Sequence, residues 1–74
     1  MEARKRVAVN VQRLRRERDL SQEKLGERAN VHQTYLSQLE GSKRNPSIDL
    51  LERIAKALKV DIAELFKRNS PSQP

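Results

Sequence analysis

The sequence predicts an all-α domain, a compact bundle of five helices, and three observations carry that prediction. Apolar residues recur at three- and four-residue intervals in successive windows along the chain. Between the windows stand residues that start or stop helices: Ser21, Ser47 and Asp61 as N-caps, Asn30 as a break, and a Gly/Pro-bounded loop over residues 41–46. No stretch alternates apolar and polar side chains as a half-buried strand would, and there is no internal repeat.

Val7, Val11 and Leu14 lie on one face of a first helix expected over about residues 4–18. Asp19 and Leu20 interrupt it, and Ser21 caps a second helix, Gln22–Ala29, with Leu25 and Ala29 inward. Gly26 costs about 1 kcal/mol relative to Ala inside a helix, so its presence points to a close approach by a neighbouring helix. Asn tolerates the left-handed conformation better than other non-glycine residues, which lets Asn30 end the second helix and turn sharply into a third. That third helix is expected over residues 32–40 with Leu36 and Leu39 inward. Ser47 opens a fourth, whose inward stripe is Ile48, Leu51, Ile54, Ala55 and Leu58. Asp61 and Glu64 have the spacing of a capping box opening a short fifth helix with Ile62, Leu65 and Phe66. Residues 1–68 are expected to form the domain and residues 69–74, rich in Pro, Ser and Gln, a flexible tail.

The composition narrows function. The 74 residues include no cysteine, which excludes disulfides, thiol catalysis and cysteine-ligated zinc. A single histidine argues against a three-ligand protein metal site, so neither a metal nor any other cofactor is expected. No run of about 20 apolar residues and no signal-peptide core are present, and the chain reads as cytoplasmic with no membrane partner. Sixteen basic against ten acidic side chains give a net charge of +6. The excess is concentrated at the start, in the 41–46 loop and after Phe66. A basic small domain favours a polyanionic partner, nucleic acid ahead of an anionic membrane surface.

The second and third helices, joined by a tight turn, form a candidate helix-turn-helix. With Leu36 and Leu39 inside, Gln33, Thr34, Ser37 and Gln38 face outward and Tyr35 lies at the boundary. Neutral hydrogen-bonding side chains of this length suit base edges: Gln pairs with adenine N6 and N7, and Ser or Thr reaches several bases. The plain alternative is an ordinary polar helix face. The adjoining loop, with Lys43 and Arg44, favours the nucleic-acid reading because it sets cations beside that surface.

From Val11 to about Phe66 the chain resembles the phage-repressor/Cro type of helix-turn-helix domain. The residues that carry the likeness are Ser21-Gln22-Glu23-Lys24-Leu25, Val31, Leu36-Ser37-Gln38-Leu39-Glu40 and Arg44-Asn45-Pro46. Within that family, His32-Gln33-Thr34-Tyr35-Leu36-Ser37 and Arg44-Asn45 most resemble the controller proteins of restriction–modification systems. The resemblance implies that Gln33, Thr34, Ser37, Gln38 and Arg44 read bases, while Gln22, Tyr35, Lys43 and Asn45 contact the DNA backbone. It also implies an architectural ion pair between Arg15 and Glu40. Four departures stand out: Asn30 where glycine is usual, Gly26 where alanine is usual, His32 where a Ser or Thr often caps, and Glu40-Gly41-Ser42 where the family has Glu-x-Gly, which implies a different bend in the loop after the reading helix.

The expected function is therefore sequence-specific duplex-DNA binding by a transcriptional regulator that acts as a homodimer on a pseudo-palindromic operator. A restriction–modification controller is the first choice. The alternatives are a general phage-type repressor and an antitoxin-like protein-binding module of the same fold. RNA polymerase is a candidate further partner, and no small-molecule substrate is implied. Leu50, Leu65 and Phe66, at the edge of the fourth and fifth helices, are the expected dimer contacts. Catalysis has no support: no Gly-rich phosphate loop and no Ser/His or Cys/His partnership is visible.

Overall fold

The structure, a computed structural model, describes residues 2–68; the expected tail at 69–74 lies outside them. Four α-helices follow one another, α1 (Glu2–Glu17), α2 (Gln22–Ala29), α3 (Gln33–Glu40) and α4 (Ile48–Leu58), and a 3-10 turn, Ile62–Phe66, closes the described chain. All of the regular structure among the described residues is helical.

Each start is set locally. Ser21 Oγ accepts the Lys24 N–H at 3.0 Å and Ser47 Oγ the Leu50 N–H at 3.1 Å, which satisfies one otherwise orphaned donor in each first turn. Helix ends use the left-handed region: Asp19, Asn30 and Lys59 have φ of 54°, 59° and 62°. The inward residues then meet in one core. Val7, Val11 and Leu14 of α1 join Leu25 of α2, Leu36 and Leu39 of α3, and Leu51, Ile54 and Leu58 of α4. The 3-10 turn packs on α1 and α4, and α4 packs on α2.

Three expectations change. The fifth helix is a 3-10 turn: its five residues are too few to nucleate an α-helix, and they close with i+3 bonds, Glu64 N–H to Asp61 O at 2.9 Å and Lys67 N–H to Glu64 O at 3.4 Å. Asp61 still caps it, through the Ala63 N–H at 2.8 Å, while the Glu64 carboxylate faces Lys67. Ile48 does not join the core stripe. At the first position of α4 it lies to one side of the Leu51, Ile54 and Leu58 stripe, and it stands 64% exposed, lining a groove of about 240 Å³ with Val7, Leu51 and Phe66. Leu65, expected at a dimer surface, is fully buried in the chain's own core because the 3-10 turn aims it between α1 and α4.

Asn10 is the one polar side chain wholly inside the core among the described residues. Its Nδ2 donates to the carbonyls of Leu65 (2.9 Å) and Lys67 (2.8 Å), and its Oδ1 accepts from Arg13 Nη2 at 3.2 Å. The amide thus supplies the partners that the closing turn of the chain lacks.

Candidate nucleic-acid interface

The α2–turn–α3 unit is fixed at the turn. Asn30 adopts φ 59°, ψ 48°, and the following Val31 N–H returns to the Gly26 carbonyl at 2.8 Å, closing α2 with a left-handed cap. This explains Gly26. The close approach comes from the turn itself: a Cβ there would overlap the Val31 carbonyl oxygen, with the Leu36 side chain also near. From α4, Arg53 adds a planar fork to the same corner, Nε to the Ala29 carbonyl at 3.2 Å and Nη2 to the Asn30 carbonyl at 3.1 Å. A cation on the last carbonyls of a helix also complements its dipole.

α3 begins at His32, whose Nδ1 accepts the Thr34 N–H at 3.1 Å and so performs the capping usually done by a hydroxyl. Leu36 and Leu39 are fully buried. Gln33, Thr34 and Ser37 are exposed on the outer side, Gln38 is half-buried, and Tyr35 is half-buried with its ring against the core.

At its far end α3 is held by a buried ion pair. Arg15 Nε donates to Glu40 Oε2 at 2.7 Å and Nη2 to Oε1 at 3.0 Å, a two-bond fork, while Nη1 reaches the Leu20 carbonyl at 2.7 Å. The side chains are only 11% and 3% exposed, so each charge depends on the other. Gln22 joins the pair, its Nε2 donating to Glu40 Oε1 at 3.1 Å. One amide hydrogen of Gln22 is thereby committed inward and the other stays available.

The loop after α3 folds back over the helix end. Gly41 N–H donates to the Ser37 carbonyl and Lys43 N–H to the Gln38 carbonyl at 2.8 Å, with Ser42 at φ 63° making the bend. This return brings Arg44 over α3: its guanidinium lies 5.0 Å from the Tyr35 ring centroid, and its Nε donates to Gln38 Oε1 at 2.6 Å. Lys43 and Asn45 are exposed beside it. Tyr35, Gln38 and Arg44 are thus in one cluster, flanking exposed Gln33, Thr34 and Ser37.

The basic run at the start of α1 lies elsewhere. Arg4 borders the groove below Ile48, and Arg6 Nη1 reaches the Phe66 carbonyl at 3.5 Å. Among the described residues no group of three His, Cys, Asp or Glu could hold a metal ion, and no helix is long and apolar enough to cross a membrane.

A family model described as helix-turn-helix matches residues 11–65. The chain belongs to the phage-repressor/Cro-type helix-turn-helix family. Members of this family are DNA-binding transcription regulators. An uncharacterised helix-turn-helix-type transcriptional regulator of Sinorhizobium fredii is 46% identical over 65 residues, covering 88% of this chain and 84% of that protein. Control protein C.SmaI of Serratia marcescens is 35% identical over 68 residues, covering 92% of this chain and 81% of its own. Among solved structures, the restriction–modification controller protein C.Esp1396I, a tetramer in complex with its natural 35 base-pair operator, superposes with a TM-score of 0.79 at 31% identity, covering 90% of this chain and 99% of that one.

Three features of this helix-turn-helix domain were not read from the sequence: the Asn10 clamp, the Arg53 fork and the Gln38–Arg44 bond. Each joins a helical side chain to backbone or loop beyond its own helix; for Asn10 the signal was its place on the buried repeat of α1, three residues after Val7 and four before Leu14, and Arg53 left none. The third had a signal, a long amide on the last turn of α3 six residues before an arginine.

Proposed function

We propose that this chain is a sequence-specific duplex-DNA-binding regulator of transcription that acts as a homodimer on a pseudo-palindromic operator, working as a restriction–modification controller. The observation that carries this reading is the outer face of α3. Exposed Gln33, Thr34 and Ser37 stand beside Arg44 on a helix capped at one end by His32 and tied at the other through Glu40 to Arg15. A reading helix must present base-length hydrogen-bonding groups at a fixed angle, and both conditions are met.

In this reading Gln33, Thr34 and Ser37 meet base edges in the major groove and Arg44 meets a guanine. Lys43, Asn45 and the free hydrogen of the Gln22 amide take phosphates, with Tyr35 resting near the backbone. The likeness in sequence to C.SmaI and in fold to C.Esp1396I supports the controller assignment over a general repressor. For the dimer, exposed Ile48 and half-buried Phe66 leave apolar surface around one groove, while half-buried Leu50 lies on another side of α4. A two-fold contact there would set the two α3 helices roughly 34 Å apart, about one turn of DNA. Leu65 contributes to this surface only from beneath, as core.

Selection of binding sites from random duplex DNA at 0.15 M salt tests the reading, and a pseudo-palindromic consensus is the expected result. Arg44→Ala should then cost about 1–3 kcal/mol per half-site and relax preference at one base pair. Unchanged affinity and preference would remove Arg44 from the reading set. Failure to select any duplex site would overturn the assignment.

A further inference from the structure

Gln38 shares the polar side of α3 with Gln33, Thr34 and Ser37, yet its surroundings differ from theirs. It is half-buried where they are exposed. The loop grips it twice: its backbone carbonyl accepts the Lys43 N–H at 2.8 Å, and its side-chain Oε1 accepts Arg44 Nε at 2.6 Å. A glutamine that reads adenine uses both ends of its amide, the oxygen toward N6 and the nitrogen toward N7. Here the oxygen already faces a cation. A hydrogen bond to an ionised group is roughly twice as strong as a neutral one, so Arg44 sets the orientation of the amide, and an adenine amino group could use only the oxygen's second lone pair in that orientation.

The consequence falls on Arg44. A guanidinium has five N–H donors in a rigid plane. Gln38 takes the Nε–H, and Tyr35 stands under the plane with its ring centroid 5.0 Å away. The terminal Nη edge, the one that fits guanine O6 and N7, is left without a partner among the described residues. An arginine side chain otherwise samples many rotamers and must be ordered when it binds. In this protein one bond and one ring contact do the ordering in the absence of DNA.

Building on the proposed base-reading role of Arg44, we infer that Gln38 is a positioning residue that fixes Arg44 for guanine recognition and does not itself read a base. Specificity at the Arg44 base pair therefore depends on two side chains, one of which never touches DNA. Gln38 and Arg44 act as a single unit of recognition.

The test uses the full chain, an operator selected by the wild-type protein, and a panel carrying each single base-pair substitution. Arg44→Ala should flatten preference at one pair. Gln38→Ala should weaken operator binding by about three- to tenfold per half-site, from the ordering lost at one long side chain. It should relax preference at that same pair and no other, and have no further effect in the Arg44→Ala background. Gln38→Glu, which keeps an acceptor for Nε, should retain the preference. If Gln38→Ala instead alters preference at a different pair, additively with Arg44→Ala, Gln38 is a reader and the inference fails. If Arg44→Ala flattens a pair and Gln38→Ala changes nothing, the inference fails while the proposed role of Arg44 stands. If Arg44→Ala changes nothing, that role fails first. Independently of DNA, NMR of the free protein should show a slowly exchanging Arg44 Nε–H that Gln38→Ala abolishes; a freely exchanging Nε–H in the wild type overturns the inference.

Discussion

The α3 side of the molecule and the α4 edge are held by different kinds of interaction. Around α3, side chains are fixed by directed polar bonds: Arg15 and Gln22 on Glu40, Arg53 on the turn carbonyls, Gln38 on Arg44. Around α4 and the 3-10 turn, apolar groups are left in partial contact with water: Ile48, exposed beside half-buried Phe66, and Leu50, half-buried on another side of the helix. Hydrogen bonds specify angle, whereas apolar burial is non-directional and specifies area. A surface that must present side chains to a fixed lattice of base edges needs the first. A surface that meets another protein can rely on the second.

The sharpest way to break the polar side is to remove its buried carboxylate. Glu40→Ala strands Arg15 and should destabilise the fold by about 3–5 kcal/mol in denaturant unfolding. A double-mutant cycle with Arg15→Ala should show strong coupling. A coupling under about 0.3 kcal/mol, the scatter of independent sites, would mean that the fork does not hold α3. On the apolar edge the same kind of change should leave the monomer intact. Ile48→Glu, at an exposed position, should shift the unfolding free energy of the dissociated monomer, measured at high dilution, by no more than about 0.5 kcal/mol. Yet it should weaken self-association by tenfold or more, the equivalent of about 1.5–3 kcal/mol for an isoleucine taken from an interface. Sedimentation of wild type and variant at matched concentration checks this; equal association, or none in the wild type, would remove Ile48 from the proposed dimer surface. The smallest effect concerns the two helix ends. α2 stops on Asn30, which accepts the left-handed region, and α4 stops on Lys59 at φ 62°, which does not accept it readily. Lys59→Gly should therefore stabilise by about 0.5–1 kcal/mol in thermal unfolding, and a loss of stability would show that the lysine has a compensating contact.

How much of this was legible in the sequence depends on the range of the interaction. Caps act within three residues, so Ser21, Ser47 and Asp61 could be read directly, and so could the break at Asn30. The buried stripes of α1 to α3 followed from spacing alone. Periodicity failed at the ends of elements, where a residue can continue the pattern with nothing facing it. Ile48 fits the stripe and is exposed, and Ile62–Phe66 fits a helix and is too short to be one. Gly26 was recognised as costly, but the object it makes room for is a carbonyl five residues on, not a neighbouring helix. In the candidate site, the outward direction of Gln33, Thr34 and Ser37 was readable from Leu36 and Leu39. The engagement of Gln38 was not, since it depends on how the loop returns.

The Asn10 amide connects residues 55 and 57 positions apart, taking the carbonyls of Leu65 and Lys67 from inside α1. The middle of α1 and the end of the 3-10 turn are therefore tied to each other, and neither can separate without withdrawing the other's hydrogen-bond partner. Release of the 3-10 turn from α1, a local opening of the kind that usually precedes global unfolding, requires the loss of two buried or part-buried hydrogen bonds at once. Backbone amides in the 3-10 turn should then exchange with solvent at rates near those of the central leucines, and Asn10→Ala should make them exchange selectively faster.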